Sequence, residues 1–239
     1  MKLHCLGSSS KGNSYLLSNG REAVVLEAGI SFKEVKQAIE WNISRIRGCL
    51  VSHKHGDHSG RAHEYARAGI PVFGPGDIFS IPHNKNMPVQ PGKGYVIGRF
   101  KVVPFEVRHD VTTYGYVITH PDSGRILFLT DTYLMEHKVP KVDHLLIECN
   151  YSHDILEKNI DAGKIHPSER ERLLYTHMEL DTTIKTAQGY PDLKNIILLH
   201  LSDRNSDEKL FTEKVTAATG VQAIAADKGV KVELNKKPF

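Results

Sequence analysis

The stretch Val51-Ser52-His53-Lys54-His55-Gly56-Asp57-His58-Ser59-Gly60 constrains this chain more than any other. Three imidazoles and a carboxylate fall within six residues, directly after the apolar run Cys49-Leu50-Val51 and directly before a segment with helical periodicity. That pattern predicts a strand-to-helix turn, an element that can aim several side chains at one point. His53 and His55, two apart, share one face of an extended segment. Asp57 and His58 lie beyond the Gly56 hinge and can turn toward a second point nearby. Imidazole nitrogen and carboxylate oxygen both bind borderline divalent cations, so the layout suits two metal ions. The bland alternative, a solvated polar loop, fits poorly with ligands packed this tightly behind a buried strand.

The run His53-Lys54-His55-Gly56-Asp57-His58 resembles the HxHxDH signature of the metallo-β-lactamase superfamily. The resemblance implies an α/β fold, a four-layer αββα sandwich of two mixed β-sheets flanked by helices, with one or two metals at its edge. It also implies further ligands in a set order, and each position is filled. The strand-like run through Arg108 delivers His109, which joins His53 and His55 at the first metal. Ile126-Leu127-Phe128-Leu129 delivers Asp131 in Thr130-Asp131-Thr132, the position of the bridging carboxylate. Asn195-Ile196-Ile197-Leu198-Leu199 delivers His200, which joins Asp57, His58 and Asp131 at the second metal. An aspartate at the tip of an apolar strand is costly to desolvate without a cation partner, which sets Asp131 apart on physical grounds as well. Where family members carry Asp-x-Gly behind the ligands, this chain has Glu27-Ala28-Gly29, one methylene longer. The implied cofactor is a pair of divalent ions, zinc or manganese, with iron also suited to a mixed nitrogen and oxygen site.

Which bond is cut depends on residues outside the ligand set. Gly7-Ser8-Ser9-Ser10-Lys11-Gly12-Asn13 resembles the GSSSxGN loop of the YycJ-like branch; read alone it is a tight turn whose amides can hold a phosphate. His177-Met178-Glu179 with Thr182, and Leu199-His200-Leu201-Ser202-Asp203-Arg204, resemble the HxT-type helix start and HFSxR strand end of ribonuclease Z, and the matching region of YycJ-like exonucleases. The resemblance makes His177 the general acid, Ser202 and Arg204 phosphate contacts, the 8–14 loop a further contact, and Asp57 a catalytic residue as well as a ligand. An arginine suits that place because its planar fork donates two hydrogen bonds to phosphate oxygens. Thr176 and Glu179 read as a capping pair that sets His177 at the positive end of a helix. On the residues alone, a helix cap for His177 and a surface ion pair for Arg204 stay open.

The expected activity is two-metal phosphodiester hydrolysis on nucleic acid, with DNA exonuclease first and RNA as the other substrate, and a metal-activated hydroxide as nucleophile. The alternative is a small-molecule hydrolase, a cyclic nucleotide phosphodiesterase or lactonase, for which the Pro/Gly-rich loop at 75–94 would form a lid. A catalytically silent nucleic-acid-binding module is argued against by the complete ligand set.

With 239 residues and neither internal repeat nor linker, the chain reads as a single hydrolase domain, 1–239. Its net charge of +3 is compatible with a polyanionic partner without demanding one. Cys5, Cys49 and Cys149 form no CxxC pair, so neither a disulfide framework nor a thiolate zinc site is indicated, which suits a reducing cytoplasm. No run reaches the length of a membrane span, so a membrane partner is not expected, and nothing in the pattern sets an oligomeric state. Helices are expected at 31–40 behind a Ser31 to Glu34 capping box, then at 61–68, 154–160, 168–175, 179–188 and 207–218. Strands are expected at 95–103 and 106–108, a hairpin through Pro121-Asp122-Ser123-Gly124, and two edge strands before a solvated lysine-bearing tail.

Overall fold

Two β-meanders, each running on into parallel strands, organise the chain in the computed structural model, which describes residues 1–236. The lysine-bearing tail expected at the C-terminus lies, from 237 on, outside the described residues. The first meander is β1 (Lys2–Gly7), β2 (Ser14–Ser18) and β3 (Ala23–Leu26), and it continues in parallel through β4 (Ile46–Leu50), β5 (Val72–Gly74) and β6 (Asn86–Pro88). The second is β7 (Tyr95–Ile97), β8 (Phe100–Val107), β9 (Thr113–His120) and β10 (Gly124–Leu129), continuing in parallel through β11 (His144–Glu148), β12 (Asn195–Leu199) and β13 (Ala223–Ala225). The last strand, β14 (Lys231–Glu233), returns to the first sheet beside β1, so each sheet has seven strands.

The apolar runs are continuous because the parallel strands are covered on both faces. In β3, Val24 and Leu26 point between the sheets toward Tyr116, Ile126 and Phe128, while Ala23 and Val25 point outward. The outward layer packs under α1 (Phe32–Ala38) and α3 (Ala62–Arg67) through Val35 and Tyr65. On the far side, Leu127, Leu145 and Leu198 pack under α6 (Leu180–Gln188) and α7 (Glu208–Thr219) through Leu180 and Phe211. Each fully buried Leu or Phe contributes about 1.5–3 kcal/mol. The result is the expected αββα sandwich. Among the described residues no helix is long and apolar enough to cross a membrane.

Three expectations change in detail. The 75–94 loop contains a 3-10 turn at Gly76–Ile78 and the edge strand β6, whose Asn-Met-Pro composition carries no strand signal. Residues 100–107 form one strand with Pro104 inside it, preceded by a turn at Gly98 with φ of 58°. Ser31 does cap α1, through Lys33 N, but Glu34 does not close the box; its carboxylate pairs with Lys228.

Candidate metal centre

The strand ends converge. His53 and His55 leave β4; α2 (Gly56–Ser59) carries Asp57 and His58; His109 follows β8, Asp131 follows β10 and His200 follows β12. His55 Nδ1 lies 3.0 Å from His53 Nε2 and 3.4 Å from His109 Nε2. Asp131 Oδ2 stands 3.9 Å from the Nε2 atoms of both His53 and His109. Asp131 Oδ1 faces the other way, 3.3 Å from His58 Nε2 and 3.5 Å from His200 Nδ1. Asp57 Oδ2 closes that second group, 3.3 Å from His58 Nε2 and 3.7 Å from His200 Nε2. All seven residues expected as ligands are brought together in two sets, and one oxygen of Asp131 faces each set.

The donors fit divalent cations. His200 Nε2, turned toward Asp57, is buried without a hydrogen-bond partner. Within each of the triads His53, His55, His109 and Asp57, His58, His200, single donor atoms lie within 4.8 Å of one another. The donor set is nitrogen and oxygen without sulfur, the class that zinc, manganese and iron accept. The Nδ1–H of His109 donates to the Thr176 carbonyl at 2.8 Å, which leaves its Nε2 lone pair facing the cluster.

Charge inside the cluster is balanced by pairing. Burial pushes the His53 and His109 pKa values down. Burial also opposes charge on His58 and His200, but the Asp131 and Asp57 carboxylates outweigh it; His200 is held up at about 10. Asp57 and Asp131, despite burial, are held well below the usual carboxylate range by His200 and His58.

Three of these strand ends bend through the left-handed region: Glu27 (φ 66°), Asp131 (φ 46°) and His200 (φ 54°). Such conformations cost about 1–3 kcal/mol each and persist where packing over-determines them. Here the bend turns each side chain off its strand axis. Glu27 is fully buried, accepts from Ser52 N at 3.1 Å and stands 3.4 Å from His58 Nδ1, out of line for a hydrogen bond. Its extra methylene still brings it to the back of the ligand group.

The 8–14 loop is a bed for the histidine turn. Asn13 N donates to Asp57 O at 2.8 Å, Ala28 N to His58 O at 2.7 Å and Gly29 N to Asn13 O at 3.0 Å. Asn13 Nδ2 lies 3.1 Å from His58 Nε2, and Ser8 Oγ accepts from His200 N at 2.9 Å. Ser8 and Asn13 therefore hold the cluster from behind, and only Ser10 and Lys11 stand fully exposed.

His177 reaches the cluster by a route the sequence misreads. It closes α5 (Pro167–Thr176), which follows α4 (His153–Asp161), as its C-cap, and α6 is capped instead by Glu179, whose Oε2 accepts from Asp181 N and Thr182 N. Glu148, and not the start of α6, binds the His177 ring. Glu148 Oε1 accepts from His177 Nδ1 at 2.6 Å, and Oε2 accepts from Thr132 N at 3.0 Å and Met178 N at 3.1 Å. Burial works against a charged His177, but the Glu148 carboxylate outweighs it and raises the pKa above its ordinary value. Asp131, Glu148, His177 and His200 are close enough to hold an ion themselves. Both oxygens of Glu148 are already committed, so a hydrogen-bonding role is assigned to it here.

Ser202 and Arg204 line a cleft of about 320 Å³ with Ser10, Asn150, Arg172, His177 and His200. Ser202 Oγ accepts from Arg204 N and Asn205 N, tightening the turn, and the exposed Arg204 guanidinium pairs with Glu169 at 3.0 Å. Sequence reasoning missed Glu148 and also Asn150, whose Nδ2 donates to His200 O at 2.8 Å. Glu148 did carry a signal, a carboxylate ending the buried run Leu145-Leu146-Ile147, the same cue that exposed Asp131.

Residues 9–177 match the family described as the metallo-beta-lactamase superfamily. The chain is 26% identical over 255 residues to exodeoxyribonuclease YycJ of Bacillus anthracis, covering 97% of this chain and 92% of that protein. Its fold resembles that of YhfI, a metallo-beta-lactamase fold protein from Bacillus subtilis, with a TM-score of 0.78 at 17% identity over 97% and 99% of the two chains. It also resembles human tRNase Z, short form, with a TM-score of 0.65 at 14% identity over 98% and 99%. Matched across most of its length and built on the same two sheets, the chain belongs to the metallo-beta-lactamase superfamily.

Proposed function

We propose that this metal-dependent hydrolase cleaves phosphodiester bonds in nucleic acid, as a DNA exonuclease first, with RNA as the other candidate substrate. The observation that carries the reading is the His177–Glu148 pair beside the ligand cluster. His53, His55, His109 and Asp131 would hold one divalent ion, and Asp57, His58, His200 and Asp131 the other. When bound, such ions lower the pKa of water toward neutrality and draw charge from phosphoryl oxygens. The remaining work falls to the chain. A departing alkoxide needs a proton at neutral pH, and an imidazole whose Nδ1–H is fixed by a buried carboxylate can supply one from Nε2. Glu148 also raises the His177 pKa, so the acid is charged when needed. Asp57 stays ionised and serves as a ligand that orients the attacking water. Arg204 would exchange Glu169 for a phosphate oxygen, and Ser202 holds the turn that presents it. The YycJ relative, similar across nearly the whole of both chains, supports DNA as substrate. Cys5, Cys49 and Cys149 are buried and unpaired, which supports a cytoplasmic location.

The test is incubation with end-labelled single- and double-stranded DNA and RNA, with Mn²⁺ or Zn²⁺, beside Asp57→Ala. Stepwise shortening from one end by the wild type and none by the variant is expected. A wild type that spares every polynucleotide yet hydrolyses a cyclic nucleotide or a lactone would overturn the proposal.

A further inference from the structure

Two tyrosines flank the cluster in a way the ligand chemistry does not use. Tyr133 lies two residues past Asp131, and Tyr175 two residues before His177. Their ring centroids are 6.3 Å apart with planes at 86°, so the rings form a corner. Tyr175 is 68% exposed, and Leu134 beside Tyr133 is also exposed at 41%. An aromatic ring left this bare, two residues from His177, offers a large apolar face that the fold itself does not cover.

The corner is fixed to the site through the backbone. Tyr133 N donates to Arg108 O at 3.3 Å, and Arg108 N donates to Thr132 Oγ1 at 3.2 Å. The Thr176 carbonyl, next to Tyr175, accepts from His109 Nδ1. A flat group resting on this corner would be held in register with the donor atoms, and that is how binding away from the reacting bond positions it. The exposed side chain of Arg172, one turn before Tyr175, adds positive charge beside the corner, while Arg108 is paired with Glu136.

We propose that Tyr175, with Tyr133 at its side, is a stacking platform for the nucleobase that adjoins the scissile phosphate. It is a positioning residue, and the proposal rests on the nucleic-acid reading above. The base lies on one ring and meets the other edge-on, and because every base has a π-face the platform is tolerant of sequence.

The test compares binding of phosphorothioate-linked oligothymidylate with an abasic strand of equal length by fluorescence anisotropy. Wild type is expected to prefer the base-bearing strand, Tyr175→Ala to lose that preference by about 5- to 100-fold, and Tyr175→Phe to keep it. Trp41 is the only tryptophan, so Tyr175→Trp in a Trp41→Phe background gives a local signal, which oligothymidylate should quench and the abasic strand should not. An unchanged preference in Tyr175→Ala, or no quenching, overturns the platform and leaves the nucleic-acid reading standing. A wild type that binds neither strand overturns both.

Discussion

Glu148 has no exposed surface, yet its two oxygens gather His177, His200 and the amides of Thr132 and Met178. Burial alone would keep such a carboxyl neutral, but pairing with His177 holds its pKa below the ordinary value. The same pair raises the pKa of His177, so the imidazole stays protonated to higher pH and loses its proton as pH rises through that raised value. Replacing the charge by Glu148→Gln leaves the burial and removes the support. The alkaline limb of kcat should move to lower pH, with turnover at neutral pH reduced by roughly 10²-fold. Measured pH–rate profiles decide this, and an unmoved limb would show that His177 is not the acid. The seven clustered residues were legible because their spacing and strand-end positions carry information that survives without coordinates. The burial of Glu148 was signalled too, but its role was not, because that depends on a histidine 29 positions away, brought close by the helical segment between them.

At the scale of elements, the histidine turn is held by a glycine with no room to change. A Cβ on Gly29 would stand 1.7 Å from the Asp57 carbonyl oxygen, so Gly29→Ala must push α2 away from Asn13 and Ala28. We expect a loss of about 1–3 kcal/mol in urea unfolding, together with metal content well below that of the wild type. Unaltered stoichiometry by atomic emission would show that α2 is positioned by something else. A second element, β11, begins with a buried His144 whose Nε2 donates to Ser123 O and whose Nδ1 accepts from Asn195 Nδ2. Burial lowers its pKa from 6.5 to about 4. The unfolded chain therefore takes up this proton first, so the stabilisation is complete above about pH 6.5 and is lost as pH falls toward 4. At pH 5 the loss is about 2 kcal/mol. His144→Gln should lose less stability than the wild type between pH 7.5 and 5 in urea titrations, and parallel losses would count against His144. Strands such as β10, β11 and β12 were legible because burial on both faces leaves an unbroken apolar run. β6 was not, because its pairing to β5 is a backbone matter that Asn86-Met87-Pro88 does not advertise.

At the scale of the molecule, the cluster straddles the seam between the two sheets. His53, His55, Asp57 and His58 come from the first sheet's side, and His109, Asp131 and His200 from the second's. The shared apolar layer, with Leu26, Tyr116 and Phe128 at its heart, joins the sheets throughout, and bound ions would clasp them again at the strand ends. Ligands drawn from both sheets can meet an ion in this geometry only when the sheets are docked, so ion binding should favour the folded state as a whole. At a free ion concentration about a thousand times Kd the gain is about 4 kcal/mol. For a chain of this size, each kcal/mol moves the melting midpoint by about 2–4 °C. Chelation should therefore lower Tm by about 8–16 °C in calorimetry, and ion replacement should restore it. Asp57→Ala, which lacks one ligand to the second ion, should show a smaller drop. A wild-type Tm indifferent to the chelator, in protein that had carried two ions, would mean that the clasp adds nothing to the docking of the sheets.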